Sequence, residues 1–276
     1  MSEPVASPAT ATTGFDLTAL DVPLRIEVDD AELGRLLGHL LGDLGSTGTP
    51  NARRISVTGQ GPFVVSSDLG QVTCSSRPEA VSAALAAVNL TAVAHTPALA
   101  LHAGVVARAG RALVLPGPSG HGKSTLVAAL LRAGWDYVSD ESLCLRWVDG
   151  ALVAYPRPLG LSAWAADYLG VTGTFGDGER FVTAGDLGAR AEPAPLEVSD
   201  VVLSQRGDAT PHLEAADRSA ALETLLRRGF THHVDAGRAL QVLSTMLQRV
   251  RVHRLLVGAP DETAAALSAG LSGGSA

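Results

Sequence analysis

Cysteine is nearly absent from this 276-residue chain: Cys74 and Cys144 are the only two, and they show no metal-ligand spacing. A disulfide framework is therefore not expected, and the composition fits a reducing cytoplasm. Aromatic residues make up only 4%, so Ala, Leu and Val must fill the core that a hydrophobic content of 46% amply supplies. Clustered positive charge is missing too. No run of Lys or Arg occurs, the net charge is −7 and the pI is about 5.6, which argues against sequence-independent nucleic-acid binding. No apolar stretch is long enough to span a bilayer. The N-terminal MSEPVASPATATTGFD lacks a positively charged segment ahead of an apolar one, so neither a signal peptide nor a membrane partner is expected, and the reading is a soluble, cytoplasmic protein. There are no internal repeats. The length suits one large domain or two smaller ones.

What is present is concentrated in residues 112–145. Ala112 to Leu115 reads as a buried strand, and Gly117-Pro118-Ser119-Gly120-His121-Gly122-Lys123-Ser124 follows as a complete G-x-x-x-x-G-K-[ST] phosphate loop. Leu126, Leu130 and Leu131, with Ala128 and Ala129, then mark a short helix ending at Gly134. Glycines let backbone N–H groups turn inward around an anion, and the helix N-terminus adds partial positive charge. The cradle would comprise Gly117, Ser119, Gly120, His121 and Gly122. Lys123 can reach terminal phosphates, the Ser124 hydroxyl can ligate Mg²⁺, and Thr125 adds a second hydroxyl at the helix start.

Trp135 to Ser139 reads as the next strand and ends in Asp140-Glu141, seventeen and eighteen residues after Lys123. In an open parallel α/β sheet ligands sit at the carboxyl ends of strands, so the acid pair is expected beside the loop. One carboxylate can hold Mg²⁺ and the other can accept a proton from an attacking hydroxyl. His102 precedes Gly117 by fifteen residues. A hairpin from Leu99–Ala107 through a turn at Arg108–Arg111 would bring it to the end that leads into the loop. Burial as a core histidine competes evenly with a role there.

Along the chain, residues 1–20 read as a disordered tail, 21–96 as a small α+β unit and 97–276 as the nucleotide-binding domain. Strands are expected at Leu24–Val28, Arg54–Val57, Phe63–Val65 and Gln71–Cys74, with helices over Ala31–Leu44 and from Pro78 towards His95. His39 and His95 lie in those helical patterns, where a lone histidine is usually tolerated rather than used. Further on come a helix from Ser162 to Gly170 and a mobile, polar stretch through Arg190, a candidate lid or acceptor loop. A strand at Asp200–Ser204, helices at Ser219–Arg228 and Ala236–Val250, a strand at Val252–Val257 and a last helix complete the pattern. Arg206 reads as a turn arginine more readily than a phosphate ligand. His232-His233 lacks partner ligands at metal spacing.

The segment LHAGVVARAGRALVLPGPSGHGKSTLVAALLRAGWDYVSDESLCL resembles the catalytic domain of the bacterial HPr kinase/phosphorylase family, and in particular its short kinase-like relatives. His102, Gly117 to Ser124 and Asp140-Glu141 match that family in order and spacing. The resemblance implies a core related to phosphoenolpyruvate carboxykinase, Asp140 as general base, and Ser124 and Glu141 serving Mg²⁺. It also implies Arg157 as a phosphate ligand and assembly into a homo-oligomer, rings being common in the family. The chain departs from the family at Thr125, where Glu is usual, and at Glu141, where the second acid is commonly Asp. The family's IRGLGI segment is shortened here to Pro156–Leu161. The expected function is ATP- and Mg²⁺-dependent transfer of the γ-phosphate to a hydroxyl of a peptide, protein or small molecule, with Asp140, Lys123 and His102 as catalytic residues. The alternative is an ATPase, or a nucleotide-gated binding or scaffold protein with no phosphoryl acceptor.

Overall fold

The computed structural model describes residues 12–46, 48, 51–117, 122–191, 196–206, 210–231 and 233–272, which form a mixed α/β protein. In chain order its first part is β1 (Thr13–Ala19), β2 (Val22–Val28), α1 (Ala31–Leu40), β3 (Arg53–Thr58), β4 (Phe63–Ser67), β5 (Gly70–Cys74) and α2 (Arg77–His95). The five strands pair in sequence order into one sheet. Val22, Leu24, Ile26 and Val28 alternate with partly exposed residues, so β2 turns one face to α1 and α2. Asp30 starts α1 by accepting the Leu33 N–H at 2.8 Å, and Ser76 with Pro78 in the first turn starts α2. The resulting core is not closed on itself: Cys144, Val153, Tyr155 and Phe181 from later in the chain pack into it.

One correction falls here. The tail expected over residues 1–20 is a strand from Thr13 onwards, with Leu17, Ala19 and Leu20 buried. It pairs with β2 through the two-residue turn Leu20-Asp21, both at positive φ. Residues 1–11 lie outside the described residues.

The second sheet is built from β6 (Ala98–Arg108), β7 (Arg111–Pro116), α3 (Lys123–Arg132), β8 (Asp136–Ser139), β9 (Ser142–Arg146) and β10 (Leu152–Val153). A small three-stranded sheet follows, made of β11 (Leu159–Ser162), α4 (Ala163–Leu169), β12 (Thr174–Phe175) and β13 (Glu179–Val182). The helix expected from Ser162 to Gly170 is α4, and the part from Gly170 to Arg190 is the stretch expected to be a mobile polar loop. Phe181, Val182, Ala184 and Leu187 are buried, which fixes it as structure rather than as a free lid. The remaining elements are β14 (Glu197–Arg206), β15 (His212–Ala215), α5 (Arg218–Leu226), α6 (Ala236–Arg249), β16 (Arg251–Val257) and α7 (Pro260–Ser272). The large sheet runs β10-β9-β6-β7-β14-β16-β15, with β8 also on β6. Its apolar faces bury α3, α4 and α7 on one side and α5 and α6 on the other. No helix among the described residues is long and apolar enough to cross a membrane.

The sheet is mixed rather than open and parallel. β7, β14 and β16 are parallel, but β6 runs against β7, β8 and β9. Asp140 and Glu141 nevertheless follow directly on the carboxyl end of β8, at the same sheet edge as the carboxyl end of β7, since both strands run against β6. They lie between β8 and β9, two segments of one line along β6: Ser139 pairs with Val105 and Ser142 with His102. Gly104, on the facing strand, gives α3 room. A Cβ there would sit 2.8 Å from Val127 Cγ2.

A buried ion cluster ties β14 to β16. Asp200 accepts from Arg251 Nε at 2.8 Å and Nη2 at 3.1 Å and from Ser199 Oγ at 2.8 Å, and its Oδ1 lies 2.9 Å from His253 Nε2. Burial works to raise its proton affinity, but the hydrogen bonds from His253, Arg251 and Ser199 outweigh it and bring the pKa from 3.8 to about 2. The ionised form is thus favoured by folding, by about 2 kcal/mol. This contribution is complete above the unfolded value near 3.8 and is lost as pH falls through about 2. Asp200→Asn should cost about 2 kcal/mol at neutral pH, with a deficit that shrinks as the pH is lowered below about 4. Denaturant melts across that range check it, and a deficit independent of pH would contradict it.

Candidate active site

Strand β7 leaves β6 at Pro116, which pairs with Ala103. The chain then turns at Gly117, and α3 begins at Lys123 after Gly122, whose φ of 82° lies in the left-handed region that glycine tolerates best. Pro118, Ser119, Gly120 and His121 lie outside the described residues. Because the loop starts opposite Ala103, His102 stands next to it. Lys123 Nζ lies 2.8 Å from His102 Nε2. An ammonium can only donate, so Nε2 accepts, and the proton of the neutral imidazole sits on Nδ1. From there it is donated to the Glu141 carbonyl at 3.0 Å, with Glu141 Oε1 at 3.4 Å. Lys123 is the only lysine in the chain and is 9% exposed.

The acid pair occupies the opposite wall. Asp140, 4% exposed, accepts from Ser124 Oγ at 3.1 Å, and its other oxygen lies 3.1 Å from the Tyr137 hydroxyl. That hydroxyl has one proton and also faces the Arg157 carbonyl at 2.8 Å. Arg157 Nη1 lies 3.3 Å from Glu141 Oε2, and its side chain is 14% exposed. In this arrangement the guanidinium neutralises the acid pair, an engagement that the expected phosphate-ligand role did not include.

The two carboxyls are pushed in opposite directions. Burial raises the proton affinity of Asp140, with Arg157 opposing and Glu141 adding to the rise. Burial acts the same way on Glu141, but the His102 hydrogen bond and the charges of Arg157 and Lys123 outweigh it, so its pKa is lowered. Burial lowers the proton affinity of Lys123 against the pull of Glu141 and Asp140. Neighbouring acids driven apart in this way suit one base and one fixed charge.

Two adjoining cavities meet at the start of α3. One, of about 370 Å³, is polar and includes His102, Ser124, Asp140, Glu141, Arg157 and Glu179. The other, of about 460 Å³, is lined by Leu115, Pro116, Leu126, Val257 and Pro260 at the carboxyl ends of β7 and β16. Lys123, Thr125, Trp164 and Arg206 line both. A larger cavity, about 520 Å³ between Trp147 and α6, lies by the amino end of β14 and carries none of these groups.

Among the described residues no three His, Cys, Asp or Glu side chains form a metal cage, and His233 joins none; His232 lies outside them. His39 and His95 sit on α1 and α2, away from both cavities. The donors present beside the loop are the Ser124 hydroxyl, 3.1 Å from Asp140 Oδ2, and the neighbouring Glu141 carboxylate. They are hard oxygens, which fit Mg²⁺, an ion that keeps waters and phosphate oxygens in most of its coordination sphere.

Sequence reasoning did not single out Tyr137, Glu179 or Trp164. Each reaches the cleft through long-range packing, and only the proximity of Tyr137 to the acid pair was visible along the chain. No protein-family model matches the chain, and no curated protein sequence matches it.

The Tyr137 hydroxyl favours the ionised form of Asp140. Tyr137→Phe should therefore raise the Asp140 titration midpoint above that of the wild type, measurable by ¹³C NMR of labelled aspartate carboxyls. An unchanged or lower midpoint would contradict the contact.

Proposed function

We propose that the chain is an ATP-dependent phosphotransferase with a phosphate-loop kinase core of the HPr kinase/phosphoenolpyruvate carboxykinase type. It transfers the γ-phosphate to a hydroxyl of a peptide, protein or small molecule. The observation that carries this reading is the meeting, in one cleft, of Lys123, the Ser124 hydroxyl and a buried carboxyl, Asp140, of raised proton affinity. A simple phosphate-binding site has no need of such a carboxyl. The adjoining apolar cavity, with Trp164 at its edge and 61% exposed, has the dimensions and surface for a purine base.

In this mechanism Asp140 accepts the proton of the acceptor hydroxyl as its oxygen forms the new O–P bond. The bond from the γ-phosphorus to the bridging oxygen breaks, and ADP leaves. Lys123 offsets charge on the phosphate oxygens, and His102 fixes the position of the ammonium. Glu141 stays ionised against Arg157 and, with Ser124, would hold Mg²⁺, whose chemistry here is neutralisation of phosphate charge. Phosphoryl transfer depends mostly on such positioning and electrostatics.

The test is incubation of purified protein with γ-labelled ATP, Mg²⁺ and a cell extract fractionated into peptides and metabolites. Wild type should label an acceptor. Asp140→Asn should reduce labelling by about 10²–10⁴-fold with ATP affinity nearly unchanged, the usual contribution of a general base. Lys123→Ala should weaken ATP binding by about tenfold or more as well as transfer. Undiminished labelling by Asp140→Asn would refute the base. Phosphate release that no fraction converts into a labelled acceptor would favour an ATPase.

A further inference from the structure

The polar cavity beside Asp140 holds a third carboxyl that the transfer step does not use. Glu179 begins β13 and lines this cavity together with Asp140, Glu141 and Arg157. Antiparallel pairing with β11 sets it there, Ser162 lying opposite Glu179 and Gly160 opposite Phe181. Side chains alternate along a strand, so Arg180 turns to the other face, where Asp167 holds it at 2.8 Å. The Glu179 carboxyl lies against Gly160, itself part of the cavity wall. A Cβ at Gly160 would stand 2.7 Å from Glu179 Oε2 and 3.3 Å from Oε1, so the bare backbone of β11 leaves the carboxyl its place.

The other two acids of the cavity are engaged, Glu141 by Arg157 and His102 and Asp140 by the hydroxyls of Ser124 and Tyr137. The Glu179 carboxyl has no hydrogen bond or salt bridge among the described residues, and the residue is exposed, hence open to a ligand. Partial burial raises its proton affinity; Arg157 opposes the rise, and Asp140 and Glu141 add to it. Arg157 is already the ion-pair partner of Glu141, so it does not balance a further acid. The three carboxyls do not converge on a metal either, since no such cage exists among the described residues. A phosphate chain at Lys123 brings more negative charge into the same cleft. The complement of an accessible, unpaired carboxylate in these surroundings is a cation, which forms a charge-assisted hydrogen bond and relieves repulsion among the acids.

We propose that Glu179 recognises the phosphoryl acceptor, and that the acceptor carries an ammonium or guanidinium group close to the hydroxyl that is phosphorylated. This rests on the phosphotransferase reading and names the acceptor class that reading leaves open. In a cavity of about 370 Å³, a hydroxyl facing Asp140 leaves its neighbouring group within reach of Glu179.

Two measurements test the proposal. In protein with ¹³C-labelled glutamate carboxyls, the Glu179 signal is identified by its loss in Glu179→Gln, or in Glu179→Asp if the first variant does not fold. Ethanolamine, a hydroxyl beside an ammonium, should move that signal at constant ionic strength, and ethylene glycol, its uncharged counterpart, should not. A signal that ethanolamine leaves in place, or that both probes move equally, would overturn the proposal. In the second, a cell extract is divided on a cation exchanger at neutral pH, and each part is separated into peptides and metabolites before incubation with γ-labelled ATP. Wild type should label molecules that the exchanger retained, the peptide and metabolite fractions showing which source supplies them. Glu179→Gln should raise the KM for that acceptor about tenfold or more, with a much smaller effect on ATP affinity. Label confined to unretained molecules, or an unchanged KM, would overturn the proposal. A moved Glu179 signal with no labelled acceptor in any fraction would support the cation site and count against the phosphotransferase reading alone.

Discussion

Strand β6 holds four partners along its 11 residues: β7 at Ala103–Arg108, β8 and β9 in line on the other edge, and the Arg228–Thr231 segment where β7 stops. The glycine loop, the acid pair and His102 all depend on that arrangement. β7 delivers the glycine loop, the β8–β9 line delivers Asp140 and Glu141, and β6 itself contributes His102 between them. Eight of the strand's eleven positions are wholly or almost wholly buried apolar residues, namely Ala98–Leu101, Ala103 and Val105–Ala107. The strand therefore has little freedom to slip, since a shift by one residue would exchange its two faces. Gly104 completes the arrangement by letting α3 approach closely enough for Lys123 to meet His102.

Electrostatics then separates two adjacent acids. At an effective dielectric of about 20, charges 3.3 Å apart attract by roughly 5 kcal/mol before dehydration is counted. Burying an ion costs several kcal/mol. For Glu141, which has both Arg157 and His102 at close range, attraction prevails and the carboxylate persists. For Asp140, more deeply buried and held only by the hydroxyls of Ser124 and Tyr137, burial prevails. The acid that is harder to ionise is the one beside Ser124, where a proton acceptor is useful.

The strand, glycine loop and helix around Lys123 could be read from the chain because glycine spacing and apolar periodicity are local signals. The place of His102 followed from hairpin geometry for the same reason. β1 was not legible: its turn, Leu20-Asp21, adopts positive φ without glycine or asparagine, and its Ser/Thr-rich surroundings read as a tail. The β12–β13 hairpin was missed because its buried residues, Phe181 and Val182, are few and lie in a polar, glycine-rich stretch. The acid pair was located beside the loop by the rule that ligands gather at strand carboxyl ends, and it does follow the carboxyl end of β8; what the chain did not show is that the sheet is mixed, with β8 and β9 in one line against β6. Arg157 acts through a contact spanning 16 positions, and Tyr137, three positions from Asp140, matters through its burial; neither leaves a local pattern.

The most direct measurement is a crystal structure of the protein with Mg²⁺ and a non-hydrolysable ATP analogue. The account predicts the β- and γ-phosphates against Lys123 and Ser124, the γ-phosphate facing Asp140, and the base in the apolar cavity beside Trp164. A nucleotide seated elsewhere, for instance in the cavity between Trp147 and α6, would contradict it.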